Sequence, residues 1–148
     1  MAKPTETDPA RVPARIMVVT GTRAEFGLLT PVMRAVEAHP ALQLQVVAAG
    51  SHLVPPALTF RDVKAVFDVV DSVPMQRPGH GTRLDDAEAV GRGMARFART
   101  LAGHEPDWVV VLGDRIEAFA AASAASLAGV AVAHIHGGDR AEGIADEA

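Results

Sequence analysis

The chain of 148 residues contains no cysteine. That absence removes disulfides, thiol nucleophiles and thiolate metal sites together, and it is compatible with a reducing compartment. No apolar run approaches the roughly 20 residues needed to cross a bilayer. The opening stretch Met1–Ala10 has no hydrophobic core of the kind a signal peptide carries, and its prolines and polar residues read as a loose tail to about Ala14. Charge of one sign is also scarce. A net charge of −4 gives no electrostatic case for nucleic acid or an anionic membrane surface. Neither Gly-x-Gly-x-x-Gly nor a P-loop occurs, so a plain dinucleotide enzyme and a P-loop NTPase lose their main support. There is no internal repeat and no low-complexity tract.

What is present is a hydrophobic content of 49%, enough for one ordinary domain with its own core. Short β-branched runs alternate with helical patterns. Strands are expected at Arg15–Thr20, Leu42–Ala49, Val66–Val73, Asp107–Leu112 and Val130–His136. They carry little polar alternation, as strands buried on both faces of a parallel sheet do. A helical pattern covers Glu25–His39, with Thr30 and Pro31 suggesting that the main helix starts there. A second covers Leu84–Gly103, capped by Thr82 with Asp85 and Asp86 in its first turn, and a third covers Arg115–Ala128 with Gly129 as its stop. Ser51–Val63 holds Pro55-Pro56 and a possible short helix, and Pro74–Gly81 reads as a loop long enough to move. The expected fold class is therefore α/β, a Rossmann-like doubly wound parallel sheet of order 3-2-1-4-5, built by residues 15–148 after a tail at 1–14.

Three strands run straight into glycine plus charge: Gly21-Thr-Arg-Ala-Glu-Phe-Gly27, Gly113-Asp-Arg-Ile-Glu117 and Gly137-Gly-Asp-Arg140. In an open α/β sheet ligands bind outside such strand ends, so these corners are expected to line one crevice. At Gly21, Thr22 and Arg23, backbone N–H groups and a guanidinium suit a phosphate; the plainer reading is a turn followed by a solvated arginine. Asp114 either caps the following helix or stands in the cleft as a proton donor or acceptor, with Arg115 beside it for an anion. His134 and His136 share a face if the strand stays regular, and with Asp139 they make a weak metal set; His136 alone suits acid/base work. Asp139, Glu142, Asp146 and Glu147 read as a solvated acidic end, and Arg92, Arg96 and Arg99 as a solvated helix face.

Taken together, Val18-Val-Thr-Gly-Thr-Arg-Ala-Glu-Phe-Gly-Leu-Leu29, Val111-Leu-Gly-Asp-Arg-Ile-Glu117 and Ala133-His-Ile-His-Gly-Gly138 resemble the N-terminal half of UDP-N-acetylglucosamine 2-epimerases, from about Arg15 to Ala148. The Thr-Arg-Ala-Glu and His-Ile-His-Gly-Gly motifs look more like the hydrolysing branch, which feeds sialic-acid-type sugars. The resemblance implies a two-domain, glycosyltransferase-B-like architecture, with the site between two Rossmann-like domains. It also implies cytoplasmic location, no cofactor, no metal, no nucleic-acid or membrane partner, and a homo-oligomer. UDP is lost from UDP-N-acetylglucosamine to leave a glycal with its double bond between C1 and C2. Water then adds, with inversion at C2, to give N-acetylmannosamine. By resemblance Asp114 and Asp146 match catalytic acidic positions, and His136 falls where several relatives carry a catalytic glutamate. Gly21, Thr22, Arg23 and Arg115 match the UDP side. The family continues beyond Asp-Glu-Ala148 into a second domain that supplies most of the nucleotide contacts. On that basis the 148-residue chain is expected to be inactive alone; a non-catalytic sugar-nucleotide-binding or interaction domain is the alternative.

Overall fold

The computed structural model describes residues 13–79 and 81–138. Five strands, β1 (Ala14–Thr20), β2 (Leu42–Ala49), β3 (Val69–Val73), β4 (Trp108–Leu112) and β5 (Ala131–Ile135), form one sheet in the order β3-β2-β1-β4-β5. Every pairing is parallel. The expected strand order holds, because right-handed crossovers leave little choice once the strands are parallel.

Successive side chains leave a strand on opposite faces, and the cores follow that period. Met17 and Val19, Val47 and Ala49, and Val109 and Val111 point to one face, where they meet Phe97 and Leu101 of α3 (Arg83–His104) and the alanines of α4 (Ile116–Leu127). Val18, Val46, Val110 and Leu112 point to the other, against Leu29 and Met33 of α1 (Arg23–Ala38) and Val63 of the short helix α2 (Phe60–Lys64). The three central strands are apolar on both faces for this reason. The two edge strands are not fully buried: only Val73 of β3 is buried, and no residue of β5 is.

Helix α1 begins earlier than Thr30. Thr22 is the N-cap, its hydroxyl accepting from the Glu25 N–H while the Glu25 carboxylate accepts from the Thr22 N–H. This reciprocal pair satisfies two first-turn donors and fixes the start at Arg23. Pro31 therefore lies inside the helix and withholds the N–H that the Gly27 carbonyl would receive. Thr30 turns its hydroxyl back onto the Phe26 carbonyl at 2.7 Å. Helix α3 is capped as expected by Thr82 with Asp85. Helix α4 ends in a Schellman arrangement: Gly129 is left-handed, its N–H donates to Ser126, and the Val130 N–H donates to Ala125.

Ser51–Val63 resolves into a 3₁₀ turn at Gly50–Leu53 and then α2; β3 starts at Val69, later than Val66, because α2 and its turn occupy the intervening chain. The Pro74–Gly81 loop is pinned near its start. Met75 is buried, its carbonyl accepts from Arg92 Nε at 2.9 Å, and the Gln76 Oε1 accepts from the Ser51 hydroxyl. Arg92 is thus tied to a loop and to Glu88 instead of standing in solvent. The tail at 1–12, His80, and Asp139, Glu142, Asp146 and Glu147 lie outside the described residues.

Candidate functional site

All five strands point the same way, so their carboxyl ends share one edge. Strand order reverses between β1 and β4, and a crevice opens outside an open α/β sheet at such a switch point. The corners after β1, β2 and β4 meet there around one carboxylate, Glu117, which is 1% exposed. It occupies the second position of α4. Its Oε2 accepts from Arg115 Nε at 3.2 Å, and its Oε1 accepts from Arg115 Nη2 and the Ser51 N–H, both at 3.3 Å. Two glycines make room for it. A Cβ built on Gly21 would stand 2.7 Å from the Glu117 Cβ, and one on Gly50 would collide with the Glu117 carboxyl. Gly21 is therefore required by a close approach from α4, a role that neither a bare turn nor a phosphate loop describes.

A second carboxylate is buried beside it. Glu25 Oε2 accepts from the Gly21 and Thr22 N–H groups, each at 3.0 Å. Those two donors were expected to meet a phosphate; they face Glu25 instead, because the capping box claims them first. Burial pushes the Glu25 pKa above its ordinary 4.5. The Gly21 N–H opposes that shift, the neighbouring Glu117 charge adds to it, and Arg115 and the Thr22 N–H oppose it. Arg23, the first residue of α1, is exposed. His52, fully buried on the 3₁₀ turn, lies between the Thr20 hydroxyl (Nε2, 2.9 Å) and the Thr59 hydroxyl (Nδ1, 2.7 Å). Burial lowers its pKa below the usual 6.5, against the pull of Glu117 and Asp62.

The remaining site residues stand on the β4–β5 side of the same edge. Asp114 and His136 line one cavity of about 1100 Å³ whose walls are largely apolar: Val90 and Met94 of α3, and Ile116 and Phe119 of α4. Asp114 is exposed and does not cap α4; Arg115 is the N-cap residue and makes no side-chain cap bond. The capping reading of Asp114 is corrected accordingly: the left-handed Gly113 ahead of it turns the chain out of β4 at the sheet edge. His134 and His136 do not continue one regular strand face. β5 ends at Ile135, and His136 is left-handed with φ of 59°. Such a backbone is uncommon for a residue with a Cβ and clusters at functional sites. His134 is exposed and lines the same cavity; its Nε2–H donates to the Gly113 carbonyl at 2.6 Å, and Gly137 leaves its ring space. Among the described residues, no group of three or more histidines or carboxylates is placed to hold a metal ion.

The edge thus carries two neighbouring groups. Gly21 and Arg115 converge on Glu117, with Thr22 joined through Glu25; Asp114 and His136 share the cavity, which Gly21, Thr22, Arg23 and Arg115 do not line. Sequence reasoning passed over Glu117, Glu25, Ser51 and His52. A signal for Glu117 was present: it is the one charged residue in Ile116–Leu127, a helix otherwise of alanine, serine and large apolar residues.

Comparison with known proteins gives a consistent result. Residues 34–148 match the family described as UDP-N-acetylglucosamine 2-epimerase. A UDP-N,N'-diacetylbacillosamine 2-epimerase (hydrolyzing) of Legionella pneumophila is 34% identical over 137 residues, covering 90% of this chain and 35% of its own. A solved UDP-N-acetylglucosamine 2-epimerase superposes with a TM-score of 0.76 at 22% identity, over 90% of this chain and 34% of that one. The Neisseria meningitidis enzyme solved with UDP-GlcNAc gives 0.72 at 23% identity, over 88% and 34%. The chain spans about a third of the length of the curated relatives it matches.

Proposed function

The chain belongs to the UDP-N-acetylglucosamine 2-epimerase family, and from that premise we propose that it forms the N-terminal, Rossmann-like part of a hydrolysing epimerase of glycosyltransferase-B-like architecture. Its substrate is UDP-N-acetylglucosamine or a close N-acetylated relative. The reading rests above all on one observation: Asp114 and His136, from separate strand ends, line one cavity beside the corner that carries Arg115.

The chemistry asks for two things on that edge. A base must take the proton from C2 of the sugar while the C1–O bond to UDP breaks, leaving the glycal; a proton must then be returned as water adds. Asp114 and His136 are the proton carriers we assign, with Asp146 as a third. The departing diphosphate must be stabilised as its charge develops. Arg23 and Arg115 are assigned there, on the rim formed by Gly21 and Thr22. The apolar walls of the cavity, once covered by a second domain, would keep water from the sugar ring until the hydration step.

The test is Asp114→Asn in the chain joined to a compatible second domain. Loss of general acid/base help costs about 10²–10⁴-fold in rate. Because Asp114 is exposed and caps nothing, the melting temperature should stay where it was. Unchanged turnover would remove Asp114 from the catalytic set. UDP binding retained with unchanged turnover would favour a binding role for this edge.

A further inference from the structure

Arg115 is the N-cap residue of α4 at an exposed corner, where an arginine side chain ordinarily samples many rotamers. Here its Nε and Nη2 lie 3.2 and 3.3 Å from the two carboxylate oxygens of Glu117, a two-point ion pair. Nη2 also reaches the Ser51 hydroxyl at 3.4 Å, while Nη1 has no partner among the described residues. The Arg115 side chain stays 44% exposed, whereas that of Glu117 is 1% exposed. Glu117 cannot itself reach a ligand. It is closed in by the glycines at 21 and 50, whose missing side chains leave the only space its carboxyl fills.

We propose that Glu117 is a positioning residue: it holds the Arg115 guanidinium by its inner edge, so that the outer Nη1 end is presented to an anionic diphosphate at the β1–β4 crevice. The proposal rests on the reading of Arg115 as a diphosphate-side residue and goes beyond it by assigning how that residue is aimed. Gly21, Gly50 and Ser51 acquire a role through the same contact. The two glycines admit Glu117, and the Ser51 N–H donates to its Oε1. A buried carboxylate held by the Ser51 N–H and enclosed by two glycines is a rigid anchor; a flexible arginine tied to it loses its freedom before the ligand arrives. An edge-on, two-point grip of phosphate by Arg115 is excluded while Glu117 holds that edge, so the ligand is met end-on.

The test uses the 148-residue chain labelled with ¹⁵N. Relaxation of the Arg115 Nε–H should show a side chain about as rigid as the backbone, with an order parameter of about 0.85, while the exposed Arg23 serves as a mobile reference. In Glu117→Gln the Arg115 signal should become as mobile as that of Arg23, and Glu117→Asp should restore part of the rigidity. Titration with UDP and with inorganic diphosphate then reads the consequence. Glu117→Gln should weaken UDP about tenfold, within the range of couplings between contacting residues. Added to Arg115→Gln, the same change should weaken UDP no further. An Arg115 side chain as mobile as Arg23 in the unmodified chain overturns the proposal without any variant having to fold. Full additivity of the two substitutions, or unchanged UDP affinity in Glu117→Gln, overturns it as well. If Arg115 is rigid and is released by Glu117→Gln but the unmodified chain binds neither UDP nor diphosphate, the hold of Glu117 stands and the functional reading of Arg115 fails.

Discussion

Two glycines of the first motif show how differently one residue type can be used. Gly21 is a contact: its Cα faces the Glu117 side chain, and an added methyl would sit 2.7 Å from the Glu117 Cβ. Gly27 lies in α1 with nothing within 4 Å of where its Cβ would be. Gly21→Ala should therefore destabilise the chain by about 1–3 kcal/mol, as overpacking does. Gly27→Ala should stabilise it by roughly 0.5–1 kcal/mol through helix propensity. Urea unfolding of both proteins checks the opposite signs. Glu25 gives the pH signature. Its folded pKa lies above 4.5, so the folded state holds the proton to higher pH than the unfolded state. Between 4.5 and the raised value the folded state binds more protons, and stability falls as pH rises through that window. Glu25→Gln removes this dependence. The melting temperature of Glu25→Gln relative to the unmodified chain should climb from pH 4 to pH 7; a constant difference would show that burial of Glu25 carries no titration cost.

Among the elements, α1 departs clearly from what its sequence suggests. Thr30-Pro31 is a good start signal, yet the helix begins at Arg23 because the Thr22–Glu25 capping box is reciprocal and the Thr30 hydroxyl is committed to Phe26. Thr22→Ala should cost about 0.5–2 kcal/mol, the usual loss for an N-cap. Thr30→Ala should stay within roughly 0.5 kcal/mol, since back-bonding to the preceding turn adds little. Thermal unfolding of the two variants decides which threonine starts the helix. Helix α4 is pressed closely against its neighbours. Ala118, Ala120, Ala121, Ala124 and Ala125 are all buried, and a Cβ on Gly93 of α3 would be 3.1 Å from the Ala120 Cβ. Small residues let the two helices approach. The apolar periodicity of α3 was readable, with Phe97 and Leu101 in the core; that of α4 was not, because alanine all round gives little contrast between faces.

At the scale of the whole molecule, the candidate site occupies one open edge of a single sheet. Asp114 and His136 are exposed there, and Leu84, Phe119 and Leu127 expose large apolar surface nearby, at 79%, 52% and 80%. A one-sided cleft neither excludes water nor fixes both ends of a sugar nucleotide. The 148-residue chain by itself should therefore show no measurable release of UDP from UDP-N-acetylglucosamine in a coupled assay. Steady turnover by a clean preparation would mean that this edge suffices for the chemistry.

The strand order, the parallel sheet and the glycine-plus-charge corners at one edge were determined by the sequence, because β-branched runs alternating with helical stripes leave few ways to cover both faces. Thr82 and Gly129 could be placed from local signals alone, since caps act within a few residues. Tertiary structure decided what those corners touch. Glu117 acquires its importance from glycines 96 and 67 positions earlier, at 21 and 50, and from Ser51, none of which any local pattern links to it. His52 is a core residue because two threonine hydroxyls, on β1 and next to α2, receive its ring. Glu25 takes the Gly21 and Thr22 N–H groups that were expected to meet a phosphate. Such assignments depend on distance through space between segments remote along the chain, and periodicity and spacing carry no record of it.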